Sequence, residues 1–412
     1  MSRQSLGRCV RFLAYLAILG CTADRASAVV LFSDNFNTNT SAAWTINAAP
    51  AADAANQQAT FAFDYNAFGI PAAPGSSDTL GLQLKANIPG GAANPNTNRP
   101  VQTLSGLSVS PTDKNFGTNY EMSFYAWSNF FGSPNAQGLA DNALSEGGTN
   151  NVMFAIGTSG TVPVVVGNTA LAAGASMDGI GFATTGDGGI GQDYRAYPQS
   201  ATTSAPTSGV YAANSRESSN AFYTAMFPAL PAPEVQQTIS ANEYGGDAFN
   251  TQLGLTQPGA FGFAWHKVVI TKNNNSVTWK INDTLIATVD ASTLNLTSAN
   301  IALGVSDVNT STARHPSLVF TVFDNLVVTD LPPAGLPGDF NGDQFVDGND
   351  FLIWQRGGSP NPTSAGDLAD WKANFGMGAS LVGAVPEPGT VLLAWLGAPL
   401  MGLGARRQRP AA

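Results

Sequence analysis

The chain has 412 residues, of which 43% are hydrophobic and 11% charged, with 44 glycines, 25 prolines and a formal net charge of −10. That acidic balance repels nucleic-acid phosphates and anionic lipid while favouring divalent cations, so nucleic-acid binding is not expected. Two cysteines and two histidines, His266 and His315, leave little for zinc or thiol chemistry.

Arg3, Arg8 and Arg11 precede an apolar run from Phe12 to Gly20, and Ala26-Ser27-Ala28 supplies the small-residue pattern of a signal-peptidase site. Residues 1–28 therefore read as an export signal. Ile18-Leu-Gly-Cys21 is also readable as a lipobox with Cys21 as the lipidated residue. Both Cys9 and Cys21 lie inside this segment, so the exported chain relies on its core, and on bound calcium, rather than on disulfides.

Residues 29–331 are rich in Gly, Ala, Asn, Ser and Thr and show short alternating segments, such as Leu82-Gln-Leu84-Lys-Ala86 and Val152-Met-Phe154-Ala-Ile156. Such strands need a second sheet to cover them, which predicts a sandwich with long surface connections. Residues 87–117 and 186–258 are the expected insertions, with a short helix from Asn214 to Phe227 ended by Pro228. Trp265 to Asp283 predicts a hairpin turning at Asn273-Asn-Asn275. With Leu31–Phe36, Ile301–Gly304 and Phe320–Val328, that hairpin makes the domain resemble a laminin G-like or concanavalin-like jelly roll. The resemblance implies that the first and last strands are neighbours, and that Asp34 and Asp324 approach one another as a second, structural calcium site.

In Tyr120-Glu-Met-Ser-Phe-Tyr125-Ala-Trp127 the period of two sends Tyr120, Met122, Phe124 and Ala126 to one face and Glu121, Ser123, Tyr125 and Trp127 to the other. Tyr125 and Trp127 make a candidate glycan platform, aromatic rings beside hydrogen-bonding groups, unless one of the insertions covers them. The glycine-rich run Gly186 to Arg195 lacks the Lys-Ser/Thr of a phosphate loop and reads as a structural turn. His266 sits within a predicted strand as a structural residue, and no Gly-x-Ser-x-Gly elbow is present. The expectation is a non-catalytic protein. The alternative is a polysaccharide lyase or glycoside hydrolase whose paired carboxylates come from distant loops.

After a stiff Pro-rich linker, residues 332–337, Asp339, Asn341, Asp343, Asp347 and Asp350 place oxygen ligands at positions 1, 3, 5, 9 and 12 of a twelve-residue loop, and the Phe345 carbonyl falls at position 7. That is the ligand spacing of a Ca2+ loop, with Gln344 where glycine usually takes the left-handed turn. Two short amphipathic segments follow, and Asp350 to Trp354 repeats the spacing of Asp367 to Trp371. This duplicated plan over residues 338–376 resembles a type I dockerin, a small α-helical EF-hand-like module, which implies docking to a cohesin-like partner. In the second copy the ligand positions fall on Arg356, Gly358, Pro360 and Ser364, so one calcium site is expected.

Residues 377–384 form a second linker. Over residues 385–409, Pro386-Glu387-Pro388, an apolar run from Val391 to Ala405 and the cluster Arg406, Arg407, Arg409 resemble the PEP-CTERM sorting signal of Gram-negative bacteria. The resemblance implies transient inner-membrane anchoring by the C-terminal helix, processing by an exosortase-like enzyme, and delivery to the cell surface or extracellular matrix. The composite expectation is an exported, mainly β jelly-roll sandwich that binds glycan or matrix, followed by a calcium-binding dockerin-like module. A structural matrix protein docked to a cohesin-like partner is the third reading.

Overall fold

A computed structural model describes residues 28–49, 51–86, 104–132, 150–167, 174–189, 191–198, 200–244, 251–307, 316–331, 336–343 and 345–378. Residues 1–27 of the expected export signal, His315, Gln344 and the sorting tail with Pro386, Glu387 and Pro388 lie outside them. No helix among the described residues is long and apolar enough to cross a membrane. The chain divides into two compact units, one of residues Ser27–Ala334 and one that holds the helices after Gly335.

Among the described residues the first unit carries fourteen strands: β1 (Val30–Asp34), β2 (Trp44–Ala49), β3 (Gln58–Asp64), β4 (Leu80–Lys85), β5 (Ser105–Pro111), β6 (Asn119–Asn129), β7 (Asn150–Thr158), β8 (Ile180–Thr185), β9 (Tyr194–Tyr197), β10 (His266–Asn273), β11 (Ser276–Ile281), β12 (Thr284–Asp290), β13 (Asn300–Asp307) and β14 (Phe320–Asp330). They build two antiparallel sheets. One runs β12-β11-β10-β6-β14-β4-β3, with β1 also on β14; the other runs β2-β5-β13-β7-β8-β9. The expected neighbourhood of first and last strands holds, with Phe32 opposite Val328 and Asp34 opposite Leu326. The hairpin holds too: Asn273 faces Ser276, and Asn274 at φ 50° takes the left-handed turn that asparagine tolerates.

Side chains from the facing sheets meet in one core. Met122 and Phe124 of β6, Val268 and Ile270 of β10 and Trp279 of β11 join Phe154, Phe182, Leu303 and Leu107, all essentially without solvent contact. Phe154 and Trp279 meet edge to face at 5.4 Å, and Phe124 meets Phe154 at 5.4 Å.

Three expectations are corrected. The insertion expected over 87–117 contains β5, an interior strand of the six-stranded sheet, and the one over 186–258 contains its edge strand β9. In β5 only Leu107 and Val109 are large and apolar, while Ser108 and Ser110 alternate with them, so the strand signal is thin. The helix expected from Asn214 shrinks to α1 (Ala221–Met226), because Asn214 sits at φ 49° and the helix starts only where the Asn220 side chain accepts the Phe222 N–H. A further helix, α2 (Val235–Tyr244), follows it.

In the second unit α3 (Gly348–Gln355) and α4 (Ala365–Asn374) confirm the two predicted helical segments. Asp347 and Asp350 close a capping box at the start of α3, and Ser364 caps α4 through the Asp367 N–H at 3.0 Å. The repeat spacing has a structural meaning. Trp354 Nε1 donates to the carbonyl of Ser364, the cap of α4, at 2.9 Å, and Trp371 Nε1 donates to the carbonyl of Asp347, the cap of α3, at 2.7 Å.

Candidate functional site

The two sheets differ in what covers their outer faces. The six-stranded sheet is sealed: Val164, Val165 and Val166, on a segment held by a bridge between Val165 and Ser176, pack over Met153, Ala155, Ala183 and Ala302. The eight-stranded sheet keeps partly exposed side chains on its outer face. Glu121, Ser123 and Tyr125 of β6 stand beside Lys267 and Thr271 of β10, with Tyr125 opposite Lys267, and Thr271 Oγ1 donates to Glu121 Oε2 at 3.0 Å.

The alternation read from Tyr120 to Trp127 is the observed one, since Tyr120, Met122, Phe124 and Ala126 lie in the core. The structure separates the two platform candidates, however. Tyr125 is half-buried and faces outward, whereas Trp127 is only 4% exposed. Trp127 is packed with Tyr65, Phe130, Phe263 and Phe320 in a second apolar cluster and meets Trp265 edge to face at 5.9 Å. Trp265 is itself held by donation from Nε1 to the Pro71 carbonyl at 2.7 Å. Trp127 therefore offers no free ring face, and the segment carrying Phe263 and Trp265 is the cover.

Beside this face lies a cleft of about 570 Å³ lined by Ser33, Asp34, Asn35, Thr40, Asn325 and Val327, among others. Val327 pairs with Ser123, so cleft and open face share a border. A bulge makes the cleft: β14 loses register between Asp324 and Val327, and Asn325 takes φ 51°. Asn325 Nδ2 then reaches Ser76 Oγ at 2.9 Å. Sequence reading missed this site because a bulge inside an alternating strand leaves no pattern of its own; the only signal was Asn325 itself, an asparagine inside the run from Phe320 to Val328.

Asp34 and Asp324 do not present a metal site. Asp34 accepts from the Phe36 N–H (2.8 Å), Thr40 Oγ1 (2.6 Å) and Trp44 Nε1 (2.8 Å), tying β1 to β2. Asp324 accepts from Tyr65 OH (3.0 Å), Ser76 Oγ (2.9 Å) and its neighbour's N–H (2.6 Å). Burial pushes the Asp324 carboxyl up to about 6 against those hydrogen bonds. Each carboxylate is thus satisfied by neutral protein donors.

The glycine-rich run is a packed turn, as expected. Gly186 and Asp187 give their carbonyls to the N–H groups of Gly262 and Gln257, and a Cβ on Gly188, at φ 76°, would sit 2.7 Å from that of Ala260. His266 is buried between Phe227 and Phe261, with Nδ1 3.0 Å from Asn282 Nδ2, and desolvation pushes it down to about 4. It is a neutral structural histidine in that setting.

In the second unit the loop from Asp339 to Asp350 is a succession of Asx turns. Asp339 Oδ1 accepts from the N–H groups of Gly342 (2.7 Å) and Asp343 (3.2 Å), Asn341 Oδ1 from Asp343 (2.9 Å), and Asp343 Oδ1 from Phe345 (2.9 Å). Asp350 closes the loop through the N–H groups of Phe340, Asn341 and Asp347. Among the described residues no three His, Cys, Asp or Glu side chains converge as a ready-made metal cage. The donor set nevertheless fits a hard cation, since oxygen groups from Asp339, Asn341, Asp343, Asp347 and Asp350 are held on one turn of chain, and Asp350 is fully buried. Asp367, its counterpart, accepts from the N–H and Nδ2 of Asn361 at 2.8 and 3.1 Å, so the second copy is closed by protein donors alone.

No protein-family model matches the chain, and no curated protein matches its sequence. Similar solved structures include a Bacillus subtilis protein of unknown function with a galectin-like fold, at 8% identity and TM-score 0.34, covering 73% of this chain and 96% of that one. The exoplasmic/lumenal domain of VIP36, bound to Ca2+ and Man3GlcNAc, has 9% identity and TM-score 0.34, covering 75% and 95%. The carbohydrate-recognition domain of Emp46p has 9% identity and TM-score 0.33, covering 72% and 95%. The two-sheet sandwich described above is read from the chain's own strand pairing.

Proposed function

We propose that this is an exported, surface- or matrix-associated protein without catalytic activity, whose sandwich, of laminin G-like or concanavalin-like type, binds a glycan. The binding surface is the open face of the eight-stranded sheet around Tyr125, continued into the cleft at Asn35, Thr40 and Asn325. The observation that carries this reading is the half-buried Tyr125 on an uncovered face bordering a polar cleft. Rings take the apolar C–H face of a sugar, and amides and hydroxyls take its hydroxyl groups. Asp339, Asn341, Asp343, Asp347, Asp350 and the Phe345 carbonyl hold one Ca2+ in the dockerin-like module, where the ion neutralises carboxylates crowded on one loop. Export by residues 1–28, exosortase-like processing near Pro386-Glu387-Pro388 and a cohesin-like partner complete the proposal.

A lyase or hydrolase on the same sandwich is the second reading, favoured by Asp324, a buried acid raised to about 6 next to a residue that lines the cleft. One experiment separates the two. The protein is passed over immobilised polysaccharides with calcium and with EDTA, and each eluate is assayed for new reducing or unsaturated ends. Retention without product, lost in Tyr125→Ala, supports binding; new ends put the enzyme first.

A further inference from the structure

Charge is unevenly spread over the open face of the eight-stranded sheet. Tyr125 of β6 stands opposite Lys267 of β10, and Lys280 of β11 stands opposite Val269. Lys267 and Val269 are two residues apart on one face, so the two lysines are diagonal neighbours across β10 and β11, about 7–8 Å apart at the backbone. Tyr125, Lys267 and Lys280 are all partly exposed. Among the described residues neither lysine side chain is in an ion pair or a hydrogen bond.

The residue between the lysines shows how they are held. Val269 faces outward with them, yet it is only 6% exposed. Ser123 and Lys280 oppose it, and Lys267 and Thr271 flank it along β10. Aliphatic lysine stems over such a residue keep their ammonium heads in water. The acids of this face are engaged or set apart. Glu121 accepts from Thr271 Oγ1 at 3.0 Å, Asp324 is buried and accepts from Tyr65 and Ser76, and Asp283 is exposed in the turn between β11 and β12.

We propose that the glycan taken by this face is acidic, a polysaccharide bearing uronate carboxylates or sulfate esters, whose acidic groups meet Lys267 and Lys280 while a sugar ring lies on Tyr125. The inference rests on the reading of the face as a glycan surface and adds the charge of its ligand. What supports it is charge complementarity: two cations without a carboxylate partner, beside an outward-facing ring, on a chain of net charge −10. A lysine ammonium is a compact point charge that serves carboxylate and sulfate alike. Because the chain as a whole repels polyanions, the attraction is local to the two ammonium groups and falls steeply as salt shortens the Debye length.

The test is retention of the whole protein on immobilised polygalacturonate, its methyl-esterified form, dextran sulfate and dextran, in EDTA so that no calcium bridges polymer and protein. Esterification removes the charge and keeps the sugar. Retention on the acidic polymers is expected to exceed that on their neutral counterparts and to weaken as salt is raised. Lys267→Gln and Lys280→Gln should each lower it about fivefold, as for a charge-assisted contact at a partly exposed site, and Lys267→Arg should restore it. Both glutamine variants are surface changes that should unfold at the parent's Tm. Retention by polygalacturonate alone assigns the carboxylate, by dextran sulfate alone the sulfate ester, and by both a requirement for charge whatever its source. Equal retention on acidic and neutral polymers, or acidic retention unchanged in both glutamine variants, overturns the acidic ligand; if that retention is still lost in Tyr125→Ala, the glycan face itself stands. No retention on any polymer overturns the face and its charge preference together.

Discussion

The six-stranded sheet is buried on both faces, while the eight-stranded sheet is packed on one face and partly exposed on the other. A sandwich needs only its facing sides for stability, so a cover on the outside is an additional layer, and an outside left open is where recognition chemistry is accessible. The difference explains why Met153 and Ala155, on the sealed outer face, are small or flexible apolar residues, and why Ser123 and Tyr125, in the corresponding orientation on the open one, are polar or amphipathic.

The harshest way to break this comparison is to place one charge on each outer face. Ala302→Glu buries a carboxylate under the covering segment, among Ala155, Val164 and Met177. A loss of more than about 4 kcal/mol, enough to prevent folding, is expected. Thr278→Lys on the open face should stay within about 0.5 kcal/mol of the parent. Urea unfolding of both variants measures the contrast; equal losses would mean that the eight-stranded sheet is also covered.

Next in size is the split between two aromatic residues of one strand. Trp127→Ala removes a side chain packed among Phe130, Phe263 and Phe320, and about 3–5 kcal/mol of stability with it. Tyr125→Ala should cost about 1 kcal/mol or less in stability and reduce polysaccharide retention about tenfold, as expected when a ring contact is lost at a half-buried surface site. Wild-type retention by Tyr125→Ala would remove the glycan face from consideration.

The helical unit sharpens the comparison from outside the sandwich. If the loop holds the proposed Ca2+, Asp339→Ala and EDTA should each lower helical circular dichroism of α3 and α4 while leaving sandwich unfolding in place. Trp354→Phe and Trp371→Phe, which delete the reciprocal indole bonds to the two cap carbonyls, should each lower the unit's stability by about 1 kcal/mol, calcium present or not.

Which of these features the sequence disclosed depends on whether the determinant is local. The two-sheet class, the β10–β11 hairpin and the facing of Tyr120 to Trp127 rest on period-two alternation and on an Asn-rich turn, both written within a few residues, whereas the first strand beside the last was an implication of the jelly-roll resemblance. Strands β5 and β9 escaped because Ser, Gly, Tyr and Arg fill positions whose burial is decided by covering segments far away in sequence. Trp127 was legible as outward-facing, but not as covered, since Phe263 and Trp265 arrive from more than a hundred residues downstream. The cleft depends on one left-handed residue, Asn325, whose φ no composition rule assigns. Asp34 and Asp324 were read as a pair from strand adjacency; their actual donors, Thr40, Trp44, Tyr65 and Ser76, sit in loops and a neighbouring strand with no fixed spacing to them.

The smallest expected effect is a partial cancellation within the first unit. His266 is pushed from its usual value of 6.5 down to about 4 by burial, so the unfolded chain takes up its proton first, and stability from this group is lost as pH falls from about 6.5 to 4. Asp324 is pushed from 3.8 up to about 6, so the folded chain takes up its proton first, and stability is gained as pH falls from about 6 to 4. Each term is on the order of 2–3 kcal/mol when fully developed, and the two windows overlap; Asp187, pushed by desolvation from 3.8 up to about 8, adds a gain as pH falls across the same range, so the parent should gain stability between pH 6.5 and 4. Asp324→Asn should flatten that gain, and His266→Gln should steepen it. Urea unfolding across that pH range reads both slopes; parallel profiles for the two variants would mean that another titrating group governs the acid response of the sandwich.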